Sequence, residues 1–463
     1  MNFASSRSSH EGGVFRTGPH PLHAAAGPHG RTPGALRDDR GRGGLSLSRA
    51  HPGGRDPPED RAARHRPGDG PGPLRPGLLR LRPRRPRAHP GALAGAHAEI
   101  RGGAAGIMIV VDAHEDLAWN ARSFGRDYTR SAWEIREQEV GTEIPAINGR
   151  CMLGLPEWLA GRVAVIFGTI FGMPQRHARS PLERTYRTPE EAHAEGMAQM
   201  DSYERLAETC ERFVLVHTRR DLEAVLETWK EPLPEPDPRR IGIVRLMEGA
   251  DPIRRPEEVA IWYERGLRIL GLAWGATRYA GGTGEPGPLT DEGRRLLRAM
   301  HDLNMILDLS HMAERAFFEA LERYEGPLIA SHSNPRALVP GDRQLSDPMI
   351  RALAERDGVI GIVLSNRMLK KGWTRGDPRE KVTVWDVVRA IDYVCQRVGD
   401  ARHVGIGSDL DGGFGAEGAP AGIETVADLV KIADALREAG FSPADVEAIM
   451  GGNWLRVLRQ GLP

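Results

Sequence analysis

The stretch Ile107-Met108-Ile109-Val110-Val111-Asp112-Ala113-His114-Glu115-Asp116 decides how the rest of this chain is read. Its apolar, β-branched start has the continuous character of a strand buried on both faces. It then runs straight into ionisable residues. Residues two apart on a strand share a face, so His114 and Asp116 can reach one metal ion together. An imidazole with a carboxylate suits zinc or a similar borderline divalent cation. A single pair of this kind is weak, and its weight comes from what recurs downstream.

Apolar runs of the same type recur at 162–170, 241–247, 267–273, 305–309, 327–331, 358–364 and 403–408. Amphipathic helical patterns lie between them, at 189–212, 256–266, 289–303, 313–323, 346–356, 383–398 and 424–439. One of them opens on Thr290-Asp291-Glu292, a cap-type start. Eight strand–helix units predict a (β/α)8 TIM barrel. A doubly wound open sheet is the alternative, but no Gly-rich dinucleotide turn follows any strand. The stretches 113–160 and 171–188 are long for βα loops and are expected to cover the barrel mouth.

In such barrels the chemistry sits at the C-terminal strand ends. The run at 107–112 leads to His114 and Asp116, and the third run leads to Met247-Glu248-Gly249. The fifth leads to Asp308-Leu309-Ser310-His311 and the sixth to Ser331-His332-Ser333. The eighth leads to Ser408-Asp409-Leu410-Asp411-Gly412. Five of eight strands therefore deliver a histidine or carboxylate to one rim, more than capping explains. Two metals sharing Glu248 would divide the set, with His114 and Asp116 on one side and His311 and His332 on the other. A hydroxide between two metals attacks a carbonyl at neutral pH, and Asp409 is the expected proton carrier.

Formal charge sums to zero, yet the chain is unevenly divided. Residues 1–107 hold 18 Arg, no Lys and 8 acidic residues, are rich in Gly and Pro, and contain no Trp or Tyr. This composition cannot offset its ordering entropy, so 1–107 is expected to be disordered or absent from a native product that starts at Met108. The domain is expected to be 108–463. Without interleaved aromatics the basic segment does not predict a nucleic-acid partner. No apolar stretch approaches membrane-spanning length, and no charged-then-apolar leader opens the chain. Cys151, Cys210 and Cys395 form neither a disulfide framework nor a metal knuckle. A soluble cytoplasmic protein is expected, with a homodimer as the default assembly.

With these residues in hand, the chain resembles the renal (membrane) dipeptidase family, peptidase family M19 of the amidohydrolase superfamily, over 107–463. The likeness rests on Asp112-Ala113-His114-Glu115-Asp116-Leu117, Met247-Glu248-Gly249, Leu307-Asp308-Leu309-Ser310-His311 and Ser331-His332-Ser333-Asn334. It continues through Gly407-Ser408-Asp409-Leu410-Asp411-Gly412 to Gly451-Gly452-Asn453-Trp454. Most other amidohydrolases carry His-x-His on the first strand; Asp116 stands in the second place here. The resemblance implies two Zn2+ ions, one on His114, Asp116 and Glu248 and one on Glu248, His311 and His332. It implies Asp409 as the acid and Arg343 as the group that holds a substrate carboxylate. One departure stands out: where many members carry a histidine at the end of the fourth strand, Trp274 stands here. Its indole N–H, Arg278 or the metals alone would then stabilise the oxyanion.

The expected function is a zinc-dependent dipeptidase-like hydrolase acting on dipeptides or small N-acyl amino acids. Lactone hydrolysis or deacylation on the same site is the alternative, followed by metal binding without turnover. His177, His193 and His217 read as surface residues without partners at ligand spacing. Trp119, Trp158 and Trp373 read as pocket lining or packing.

Overall fold

The computed structural model describes residues 108–463, so the expectations for 1–107 lie outside the described residues. Eight parallel strands close into a ring: β1 (Val110–Glu115), β2 (Val163–Phe171), β3 (Ile241–Glu248), β4 (Leu267–Gly271), β5 (Ile306–Asp308), β6 (Leu328–Ala330), β7 (Val359–Ile362) and β8 (Val404–Ile406). The order follows the chain, and β8 returns to β1 with Ile406 opposite Asp112. Between β2 and β3 the pairing is unbroken from Val165–Gly242 to Phe171–Glu248. Every residue of these strands is buried, as expected where helices cover the outside and side chains fill the inside. The (β/α)8 barrel is the fold.

A ninth strand departs from the expected eight. Phe213–Leu215 pairs with the start of β3, where β4 does not reach, because β4 pairs only from Arg245 onward. Helix Arg219–Glu227 follows it. Three residues are too few to show a period, and they abut the helical pattern that ends at Thr209.

The C-terminal helix Asn453–Gly461 fastens the strand that carries Asp409. Asn453 Nδ2 donates to the carbonyls of Ala401 and Val404 at 2.7 and 2.8 Å, and Trp454 Nε1 donates to Ile406 O at 2.9 Å. The indole lies so close that a Cβ on Gly405 would sit 2.3 Å from its nitrogen, which explains glycine at that position. At the mouth, 113–160 forms four short helices, and 171–188 pairs Met173–Pro174 with Thr185–Tyr186 around a 3-10 turn at Gln175–His177. A hairpin of Ala280–Gly282 and Glu285–Leu289 stands beside them.

Candidate metal centre

Glu248, the last residue of β3, is the meeting point of the site. Its Oε2 lies 3.5 Å from His114 Nε2, and its Oε1 lies 3.0 Å from His311 Nε2 and 3.2 Å from His332 Nε2. His114 Nε2 is also 3.9 Å from Asp116 Oδ1 and 4.0 Å from Asp409 Oδ1. Two triads, His114/Asp116/Glu248 and Glu248/His311/His332, therefore share one carboxylate, each with ligand-type atoms within 4.8 Å of one another. The set His114/His332/Asp409 overlaps both. The structure thus brings all six sequence candidates to one end of the barrel.

The imidazoles are aimed by hydroxyls. Thr283 Oγ1 lies 3.0 Å from His311 Nδ1, and Ser331 Oγ lies 2.8 Å from His332 Nδ1 and 3.5 Å from His114 Nδ1. Ser331 Oγ donates to Asp308 Oδ2, while Asp308 Oδ1 accepts from the Ser310 and Ser331 amides at 3.0 and 2.9 Å. Thr169 Oγ1 donates to Asp116. With each Nδ1 facing a hydroxyl, the three Nε2 atoms are left to converge on Glu248, the arrangement by which outer groups orient metal-binding histidines. Asp112 is not part of the cluster: it accepts from the Ser408 amide at 2.7 Å and from the Ser408 hydroxyl, binding β1 to the end of β8.

The backbone is strained at the same rim. His311 (φ 63°), Asp409 (φ 59°) and Asp411 (φ 65°) are non-glycine residues in the left-handed region. Such outliers persist where the surroundings over-determine them, and they cluster at functional sites. A Cβ on Gly412 would meet Asp409 Oδ1 at 1.9 Å, so only glycine lets the Asp409 carboxylate occupy its position.

These residues fit divalent metal. His114 Nε2 is buried with no hydrogen-bond partner, an orphan that native interiors rarely tolerate. The gaps of 3.5–4.0 Å around it are too long for good hydrogen bonds. They are short enough for one cation with ligand bonds of about 2 Å to reach both sides. The charges are also unresolved without a cation. Burial opposes a charged His114, but Glu248, Asp116 and Asp409 outweigh it and hold the imidazole up at about 10. Burial and the neighbouring Glu248 push Asp116 up to about 6 despite His114, and burial with Asp116 and Glu248 raises Asp409 well above the carboxylate range. Burial and Arg343 hold His311 down at about 4, and burial with His114 and Arg343 keeps His332 neutral as well. His311 and His332 are neutral donors already, and a divalent ion would take the place of the proton that His114 holds among its carboxylates.

A cavity of about 540 Å³ opens over the cluster. Arg343 lines it, with Nη2 donating to His332 O at 2.6 Å and Nη1 to Ser333 Oγ at 3.1 Å. Trp274 lines it as an apolar wall, its ring 5.2 Å from Phe171 and 6.1 Å from His311. Arg278 does not line it. Its guanidinium turns away to Arg254 O (2.7 Å) and Asp251 (3.7 Å) in the segment after β3; the expectation of a substrate contact is corrected. His177 is corrected in the other direction. It was read as a surface residue, yet its ring stands edge-on to Trp274 at 5.2 Å and lines the cavity. Arg179, Arg367 and Met173 also line it and were missed, since no local pattern marks a loop that folds over a distant strand end. Trp119 lines the cavity, whereas Trp158 is fully buried and donates to Glu115 at 3.1 Å. His193 and His217 are tied to Pro252 O and Arg245.

Comparison with known proteins agrees with the geometry. The family model for membrane dipeptidase, peptidase family M19, matches residues 105–461. An uncharacterised protein from the pqqA 5' region of Klebsiella pneumoniae is 34% identical over 229 residues, covering 47% of this chain and 82% of that protein. Dipeptidase tcpJ of Claviceps purpurea is 35% identical over 205 residues, 43% of this chain and 46% of that protein. The match to that dipeptidase thus spans about half of its length. A metallo peptidase from Rhodobacter sphaeroides, solved with a phosphinate mimic of L-Ala-D-Ala, shares the fold at TM-score 0.62 and 23% identity, covering 77% of this chain and 99% of that one. A family match that runs from residue 105 to 461, through the whole barrel, means that the chain belongs to the membrane dipeptidase family, a family of hydrolases.

Proposed function

We propose that this chain is a zinc-dependent, dipeptidase-like hydrolase cleaving the amide bond of dipeptides or small N-acyl amino acids. The observation that carries the reading is the convergence of three Nε2 atoms on the two oxygens of one buried glutamate at the floor of an open cavity. Relatives at 35% and 32% identity carry the name dipeptidase, in Claviceps purpurea and Aspergillus oryzae. His114, Asp116 and Glu248 would hold one Zn2+, and Glu248, His311 and His332 the other. Such a pair, when bound, supplies acidified water and polarises the scissile carbonyl. Asp409 takes the proton of the attacking water at its carboxylate and passes it to the leaving amine. Arg343 fixes the substrate carboxylate through its planar fork. Trp274 shields one side of the reacting centre from water.

The test pairs metal analysis with turnover. Asp409→Asn should retain two equivalents of zinc and lose dipeptide hydrolysis. A native protein that binds no transition metal, or an unimpaired Asp409→Asn, rejects the proposal. Trp274, which cannot titrate, favours a second reading, lactone hydrolysis or deacylation on the same cluster; a panel with lactones and N-acyl amino acids separates the two. Free cysteines fit a cytoplasmic setting, and among the described residues no helix is long and apolar enough to cross a membrane. Sedimentation tests the homodimer.

A further inference from the structure

The cavity over the cluster is chemically divided. On its β1–β4 side Trp119, Phe171 and Met173 form a small apolar group apart from the main core, with Trp274 packed on it. On its β6–β8 side stand three guanidinium groups. Arg343 follows β6, Arg367 follows β7, and Arg179 reaches the loop after β8, where a Cβ on Gly413 would lie 3.3 Å from its Nη2. Among the described residues, the carboxylates lining the cavity are Asp116, Glu248 and Asp409, all of them in the ligand cluster. Asp409, the lining carboxylate on the cationic side, belongs to that cluster, which leaves Arg367 without an acid partner among the described residues.

The segments that bear Arg343 and Arg367 are tied together beside the cavity. Asn334 Nδ2 and Gln344 Nε2 both donate to Met368 O at 3.2 Å, stitching the segment that bears Arg367 to the residue after Arg343. Arg343 is braced by His332 O and Ser333 Oγ. Arg367 is exposed and makes no hydrogen bond or ion pair among the described residues. Arg179 has only Glu183 at 3.4 Å, whose other oxygen accepts the Arg179 and Ser180 amides at 2.6 and 2.9 Å. A substrate with one carboxylate can pair with one guanidinium and leaves the others unmatched beside a partly desolvated cleft.

Building on the dipeptidase reading, we propose that the site selects substrates whose C-terminal residue is acidic. Arg343 takes the terminal carboxylate, and Arg367, backed by Arg179, takes the side-chain carboxylate. The residue on the other side of the scissile bond then falls on the aromatic wall, which suits an apolar side chain. Guanidinium–carboxylate pairing supplies the discrimination, because the isosteric amide keeps the shape and loses the charge-assisted bonds.

The experiment compares Ala-Glu with Ala-Gln on the zinc-loaded protein. The expected kcat/KM ratio is about tenfold or more in favour of Ala-Glu, expressed in KM. Arg367→Gln should bring that ratio below about threefold, and Arg367→Lys should keep part of it. Equal rates on the two dipeptides, or a ratio unchanged in Arg367→Gln, overturn the proposal and leave Arg367 a solvated rim cation. Calorimetry with N-acetylglutamate and N-acetylglutamine on zinc-loaded Asp409→Asn reads the same selectivity without turnover. Tighter binding of the glutamate derivative with neither dipeptide cleaved discards the dipeptidase reading and keeps the acidic selectivity. Equal binding of the two discards the selectivity whatever the turnover.

Discussion

Thr283 and Ser331 show how small groups set the chemistry of large ones. The histidines present Nε2 to Glu248 because a hydroxyl stands at each Nδ1. Thr283→Val keeps the shape at the hairpin tip and removes that partner from His311. Zinc affinity should fall about 10–100-fold, read by competition with a chromophoric chelator; an unchanged affinity would show that Thr283 does not orient the ring. Ser331→Ala should act on two rings at once and cost at least as much. Arg343→Ala should raise KM for substrates with a free carboxylate and leave carboxyl-blocked ones little affected, measured on matched pairs. At this scale the five candidate ligands and Asp409 were legible, because each follows an apolar run and carries donor or acid chemistry. The hydroxyls were not: Thr283 lies in a hairpin well before His311 in sequence, and Ser and Thr are common everywhere. Trp274 and Arg278 sit four positions apart, yet only the first reaches the cavity. Which way a loop residue turns is a contact question, not a pattern.

Strands and loops add a second layer of dependence. The segment after β8 is anchored through Asp411, whose carboxylate accepts from Met152 N at 2.8 Å and faces Arg126 Nη1 at 3.1 Å. Arg126 is in turn held by Glu139 at 2.7 Å and donates to Gly149 O at 2.7 Å. All three side chains are buried, so Asp411→Asn removes one of the two carboxylates around Arg126, which keeps Glu139, and should destabilise the fold by about 1–3 kcal/mol, measured by urea unfolding. Loss of activity should accompany it, since Asp409 shares the loop. On the opposite side, burial, Arg245 and Arg268 lower the pKa of His217 to about 4 from its ordinary 6.5. Between those values the unfolded chain binds a proton that the native chain refuses. Stability at this residue is therefore full above about pH 6.5 and declines as pH falls towards 4. His217→Gln, which keeps an acceptor for Arg245, should flatten the fall of Tm across this window; an identical pH profile would remove His217 as its source. The helices were readable from their periodicity and caps, as at Thr290, whose hydroxyl accepts from Gly293 N at 3.0 Å. The strand Phe213–Leu215 was not, because its partner supplies the order that its own three residues cannot.

For the molecule as a whole, the cluster ties five strands of the barrel to one point, so metal and fold stability should be linked. A ligand that binds only the native state adds about 2.7 kcal/mol at a hundredfold excess over its Kd. Chelation should therefore lower Tm by several degrees, and Asp409→Asn, with its ligands intact, should show the same drop in scanning calorimetry. A Tm indifferent to chelator would mean that the converging side chains hold nothing. The barrel itself was settled by sequence: continuous apolar runs can be satisfied only as parallel strands buried on both faces, and helical patterns between them leave little else to build. The ligand set followed, since strand ends of one barrel open on one rim. Which side chains of the long loops meet over that rim, beyond Arg343 and Trp274, was decided by tertiary structure. His177, Arg179 and Arg367 come from segments after β2 and β7, and their meeting depends on packing between segments that share no local signal. Hydrophobic periodicity reports which face of an element is buried. It carries no information on which other element will be found there.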